Sequence, residues 1–317
     1  MPSLVLTACM LVSSIAQAQT TAGDATPRPA ASPVAAPHAV AQHATLDPAS
    51  ALLRHVSAVL VNQPSVTAKV RHKVDLLGQS VLGGGIYLQQ GRGAGLLFRL
   101  ELALQTGDEL STIEQVCDGT SYWLYEAVPE RKNLARVDLL RLRRAHPKSP
   151  TTPTPWLSLG GLPKLITSLD DSFRFGPVTK SQLDKLPVWT LEGRWKPAVL
   201  STLMPDLKQA IESGANVQLA PNMPDRVVVY VGCDDLFPYR VEYWRTDVSD
   251  APGTEQGRLL VVIEFYEVRL GGVLDPKLFA CPQHDVQPTD QTDAFLEKLG
   301  LQESLPASGA QNLPPRR

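Results

Sequence analysis

Long apolar runs, cysteine, histidine and an excess of charge of either sign are all scarce in this chain of 317 residues. The formal net charge is −2, so nothing in the composition draws the chain to nucleic acid. Four cysteines are present, none in a C-x-x-C pair, which argues against a zinc site. The six histidines are scattered, and G-x-S-x-G, H-E-x-x-H and a Gly-rich phosphate loop are all missing. No enzyme activity, metal or cofactor is expected. Beyond the first eighteen residues no run reaches the length of a membrane span.

Those eighteen residues are uncharged, mostly apolar and end in Ala16-Gln17-Ala18, the pattern of a cleaved signal peptide with Gln19 as the mature N-terminus. Leu6-Thr7-Ala8-Cys9 offers a second reading, a lipid anchor on Cys9. Either way the chain is expected in the periplasm. Residues 19–45 are rich in Ala, Pro and Thr and cannot bury enough apolar surface to offset their ordering entropy, so a flexible tether is expected there. Cleavage would leave Cys117, Cys233 and Cys281, either as small buried thiols or with two of the three bridged. A polar tail is expected over 301–317.

Between tether and tail the apolar pattern is mostly that of strands. Asp47-Pro48 is an N-cap with proline in the first turn, followed by Ala49, Leu52, Leu53, Val56 and Leu60 on one helical face. From Ser65 the period becomes two: Val66, Ala68, Val70, His72, Val74 and Leu76 alternate with polar residues. Leu96, Phe98, Leu100, Leu102 and Leu104 repeat that pattern, with a Gly-rich turn at 91–95 before them. Asp118-Gly119 sits between two β-prone runs and predicts a tight hairpin. Its second strand sets Trp123, Tyr125 and Ala127 on one face and Tyr122, Leu124 and Glu126 on the other. Leu162, Leu165, Ile166 and Leu169 return at helical spacing. Residues 197–214 read as a helical insertion broken by Pro205. Strands follow over 226–231, 239–245 and 258–270, and a last helix over 290–299. Asp234 and Asp235 lie in the turn between two of these strands and read as turn formers. The expected fold is mainly β, an incomplete antiparallel barrel curled from about ten strands, with helices over its concave hydrophobic face.

Three stretches then resemble one family. Val116-Cys117-Asp118-Gly119 followed by Trp123-Leu124-Tyr125 looks like the D-G-x-x-x-W-x-Y hairpin of the periplasmic lipoprotein carriers of the LolA type. Phe265 to Leu270, Gly271-Gly272 and Val273-Leu274-Asp275-Pro276-Lys277-Leu278-Phe279 resemble that family's closing strand, turn and D-x-x-x-F step. The resemblance covers about Asp47 to Pro288, and the half-barrel domain is expected over 46–300. It implies a half-barrel whose helices plug a hydrophobic cavity for acyl chains, with an acyl lipid or lipoprotein as partner and a membrane-bound protein receiving it from a monomeric carrier. The cavity lining is then expected to include Val70, Phe98, Leu100, Leu102, Trp123, Tyr125, Leu165 and Ile166, with Arg92 as a lid latch. The same fold also serves sensors that hold a protein partner on the concave sheet, and that alternative stays open at this point.

Overall fold

A computed structural model describes residues 47–76, 78–147, 157–215, 217–248, 255–298 and 300–303. The signal peptide, Cys9, the 19–45 tether and the tail beyond residue 303 lie outside the described residues. Helix α1 (Pro48–Asn62) leads into six strands that meander side by side: β1 (Ser65–Leu76), β2 (Gln79–Gln90), β3 (Leu97–Thr106), β4 (Glu109–Cys117), β5 (Ser121–Val128) and β6 (Arg131–Asp138). A short helix α2 (Leu139–Arg144), strand β7 (Ala145–Pro147) and helix α3 (Leu157–Ser172) follow. The second half contains β8 (Phe173–Phe175), β9 (Thr179–Leu183), β10 (Leu186–Trp195), helices α4 (Pro197–Leu203) and α5 (Lys208–Glu212), then β11 (Arg226–Gly232), β12 (Pro238–Val248) and β13 (Glu255–Leu270). β14 (Thr289–Asp290), α6 (Thr292–Lys298) and β15 (Leu301–Glu303) end the described chain.

Thirteen strands make one sheet in the order β14-β6-β5-β4-β3-β2-β1-β13-β12-β11-β10-β8, with β9 also on β10, so the expected count of about ten was low. β1 pairs on one side with β2 and on the other with β13, which joins the two halves of the chain at the middle of the sheet. The neighbours are antiparallel except β14 on β6. A sheet this wide curls rather than staying flat, and here β6 with β14 and β8 remain at separate ends, so the barrel is incomplete. The fold class is therefore the one expected.

Several boundaries move. Gly83-Gly84-Gly85 runs through the middle of β2, where the backbone of Glu101 on β3 occupies the place a side chain at Gly85 would take. Residues 301–303, expected within the polar tail, form β15, paired with β7. The insertion after Pro197 builds a small satellite core of Leu200, Ile211, Leu219 and Met223. Cys117, Cys233 and Cys281 are free thiols.

Candidate functional site: the covered concave face

The inner wall follows from strand alternation. Val66, Val70 and Val74 of β1, Phe98, Leu100, Leu102 and Leu104 of β3, and Tyr122 and Leu124 of β5 all belong to one core cluster. Val227, Val229 and Val231 of β11 and Ile263 and Phe265 of β13 continue it across the second half. Directly paired residues share a face, and the pairings Gln89 to Phe98 to Cys117 to Tyr122 carry that face from β2 to β5.

Two helices lie on this wall. α1 begins where the sequence marks it, with the Asp47 carboxylate accepting from the Ala49 amide at 3.3 Å. It turns Ala49, Leu53, Val56 and Leu60 inward, each at most 1 % exposed. α3 is two helical pieces meeting at Gly160 and Gly161, neither of which has helical backbone angles. Gly161 has φ +58° and ψ −152°, a conformation open essentially only to glycine. The second piece presents Leu162, Leu165, Ile166 and Leu169, all fully or nearly fully buried. Burying four such side chains contributes roughly 6–12 kcal/mol, so the cover is held chiefly by apolar contact.

A small set of polar bonds fixes where the cover sits. Tyr87 and Gln89, both 0 % exposed, stand on the inner face of β2. The Tyr87 hydroxyl donates to Gln89 Oε1 at 2.7 Å and accepts from the Leu162 amide at 3.0 Å. That amide starts a helical segment and has no partner in its own helix. Gln89 Nε2 donates to the Leu60 carbonyl near the end of α1 at 3.2 Å. A side chain at Gly161 would lie 2.4 Å from Tyr87 Oη, so the glycine is what lets the chain reach that hydroxyl. Arg92 donates to the carbonyl of Asn62, the last residue of α1, at 3.1 Å, where a cation also favours the helix dipole. The helices are tied to each other by Arg54 with Asp170 at 3.3 Å and by Ser57 with Thr167 at 3.1 Å. Lys196 Nζ donates to the Asp170 carbonyl from beyond β10. Outside these ties, Arg54, Ser57 and Ala58 face Thr167, Asp170 and Asp171 across a groove of about 430 Å³.

Of the expected lining residues, Val70, Phe98, Leu100, Leu102, Leu165 and Ile166 are brought together in the core between sheet and cover. Trp123 and Tyr125 are not: they lie on the opposite, outer face. Aromatic side chains alternate onto both faces of β5, so the pattern alone could not choose, and the pairing of Cys117 with Tyr122 turns Tyr122 and Leu124 inward. Trp123 Nε1 donates to Asp118 at 2.8 Å, and the Arg136 guanidinium lies 5.8 Å from its ring. Tyr125 stacks on His284 with ring centres 3.5 Å apart. His284 in turn meets Glu114 at 2.8 Å, and Arg99 bridges Glu101 and Glu114 and donates to the Leu278 carbonyl. These contacts fasten the segment after β13 across the outside of the sheet. The D-x-x-x-F step belongs to it: Asp275 accepts from the Lys277 amide at 2.9 Å, and Phe279 is 2 % exposed.

Tyr87 and Gln89 escaped sequence reasoning. β2 has Leu82 at 57 % and Ile86 at 36 % exposure on its outer face and a glutamine on its inner one, so hydropathy reverses the true orientation there. His72 does lie on the inner face as the alternation placed it, and burial lowers its pKa to about 4. Asp235 is a turn former, accepting from the Phe237 amide at 3.0 Å and from the Tyr239 hydroxyl at 2.7 Å.

An open antiparallel half-barrel with two helices laid in its concavity decides the architecture. The fold is an incomplete antiparallel barrel, as the resemblance implied. No family model matches the chain, and no curated protein matches it. Solved structures similar to it include the Mycobacterium tuberculosis lipoprotein LppX, at 13 % identity over 72 % of this chain and 97 % of that one, TM-score 0.33. The MucA/MucB complex of Pseudomonas aeruginosa is matched at 13 % identity over 84 % of this chain and 67 % of that one, TM-score 0.34. A putative outer membrane lipoprotein-sorting protein domain from Vibrio parahaemolyticus is matched at 10 % identity over 73 % and 95 %, TM-score 0.31. Within this half-barrel α1 and α3 cover the inner wall.

Proposed function

We propose that this chain is a binding protein of the cell envelope that carries the acyl chains of a lipid or lipoprotein between its concave wall and its helical cover. It acts as a periplasmic monomer, uses no cofactor and catalyses no reaction, and gives its cargo to a membrane-bound partner. The observation that carries the reading is the cover itself: two amphipathic helices on a continuous apolar wall, held in place by a few polar bonds at their ends. The magnitudes support an exchange. An acyl chain gains about 0.8 kcal/mol per buried CH₂, so one long chain supplies roughly 10 kcal/mol. That is comparable with what the second piece of α3 loses in lifting its four apolar residues off the wall.

The test is binding of a fluorescent fatty-acyl probe. Wild-type protein should bind it saturably. Arg92→Ala and Arg54→Ala remove ties of the cover without touching the wall. Each tie is worth about 1 kcal/mol at most, so each variant should bind several-fold more tightly while its Tm falls only slightly. Wild-type protein that takes up no probe rejects the proposal.

A further inference from the structure

The groove between α1 and α3 is lined mainly by charged and hydroxyl side chains, unlike the apolar wall beneath these helices. We infer that it is a binding site for a free α-amino acid, whose carboxylate is held by Arg54 and whose ammonium is held by Asp170. This does not depend on the carrier reading above.

The groove opens on the side that the helices do not turn to the wall: Arg54, Ala58, Thr167 and Asp171 are all exposed. Its volume of about 430 Å³ is within the range of small-molecule sites. Asp170 lines it although the residue is only 7 % exposed, and its Oδ1 has no hydrogen-bond partner among the described residues. A buried carboxylate oxygen left in that state is costly, and χ2 of an aspartate turns easily enough to present it to the groove. Asp170 Oδ2 accepts from Arg54 Nε at 3.3 Å, which leaves the Nη groups of this exposed side chain to donate outward. The hydroxyl protons of Ser57 and Thr167 go to the Pro163 carbonyl, at 3.2 and 2.9 Å, or between the two hydroxyls at 3.1 Å, so what this pair offers the groove is lone pairs. Several acceptors thus stand beside one cationic fork. Arg54 and Lys196, whose ammonium donates to the Asp170 carbonyl, balance Asp170 and Asp171, so a ligand with net charge gains nothing overall. A zwitterion fits this set. Its ammonium supplies three donors for Asp170 Oδ1 and the hydroxyls, and its carboxylate takes the Arg54 fork in bidentate fashion. Laid against the pair of Arg54 and Asp170, it makes four charges alternate in sign.

The experiment is a chemical-shift titration of the whole ¹⁵N-labelled protein with L-alanine, N-acetyl-L-alanine and L-alaninamide. L-Alanine should bind saturably, moving the amides of Ser57, Thr167, Asp170 and Asp171. The acetyl derivative lacks the ammonium and the amide lacks the carboxylate, so each should bind about tenfold more weakly or worse, one charge-assisted contact being lost. Arg54→Ala should bring L-alanine down to the level of L-alaninamide, and Asp170→Asn should bring it down to the level of the acetyl derivative. A merely structural role for either residue would weaken all three probes alike. The dispersion of the spectrum shows whether each variant is folded, and if Asp170→Asn is not, the exposed Arg54 decides alone. No saturable shift with L-alanine up to about 10 mM, shifts confined to residues away from the groove, a derivative that binds as well as L-alanine, or a preference over L-alaninamide that survives Arg54→Ala each overturns the inference. The fatty-acyl probe is not used, so none of these outcomes touches the carrier reading.

Discussion

Asp118 accepts four hydrogen bonds, from the Thr120 amide and hydroxyl, the Ser121 amide and the Trp123 indole, and these explain the aspartate and tryptophan of the hairpin motif. Burial alone would raise its pKa. The bonds from Trp123, Ser121 and Thr120 outweigh that and hold it below the usual carboxylate value. The next residue, Gly119, has φ +90°. Gly119→Val forces a β-branched residue into that region and should cost more than about 1 kcal/mol, read as a lower Tm; an unchanged Tm would mean that the turn tolerates side chains. His72 supplies a pH dependence of its own. Its pKa in the folded protein is about 4 because burial disfavours the cation, against 6.5 unperturbed. The unfolded chain therefore binds the extra proton first, and stability is lost as pH falls from about 6.5 to about 4, by roughly 3 kcal/mol for a shift of this size. Asp118 loses its contribution only below its unperturbed value of 3.8, outside that window. His72→Leu should flatten the fall in Tm between pH 6.5 and 4, measured by thermal melts across that range. A melt series as steep as that of wild type would assign the loss to other groups.

At the scale of elements, α1 was legible because every signal agreed: an N-cap, a proline at the start, and an apolar face that is the buried one. The second piece of α3 was legible for the same reason. β2 was not, since its apolar residues are divided between faces and its inner face carries Gln89. The join within α3 was equally silent. Gly160-Gly161 looks like a loose linker in sequence, yet Gly161 is constrained from two sides, by its backbone angles and by the Tyr87 hydroxyl. Gly161→Ala should therefore destabilise the protein by about 2 kcal/mol or more, and speed hydrogen exchange of the Leu162 amide ahead of the amides of β1. Exchange at Leu162 as slow as in wild type would show that the join does not govern the cover.

Across the whole molecule, the alternating strands, the hairpin turn chemistry and the two amphipathic helices were present in the sequence, because each depends on neighbours a few residues away. They were enough for the class of fold and for six of the inner residues: Val70, Phe98, Leu100, Leu102, Leu165 and Ile166. The tertiary structure decided what depends on distant pairing. Which face of β5 looks inward follows from the register with β4, and it sent Trp123 and Tyr125 outward, Tyr125 onto His284 in a segment more than 150 residues later in the chain. That Tyr87 and Gln89 hold the cover depends on Leu60 and Leu162 arriving at the same place from opposite sides in sequence, through 29 and 75 residues. Periodicity reports only that a residue has two sides. Which side is buried, and against what, is settled when the sheet closes on its helices and each buried polar atom must find its partner.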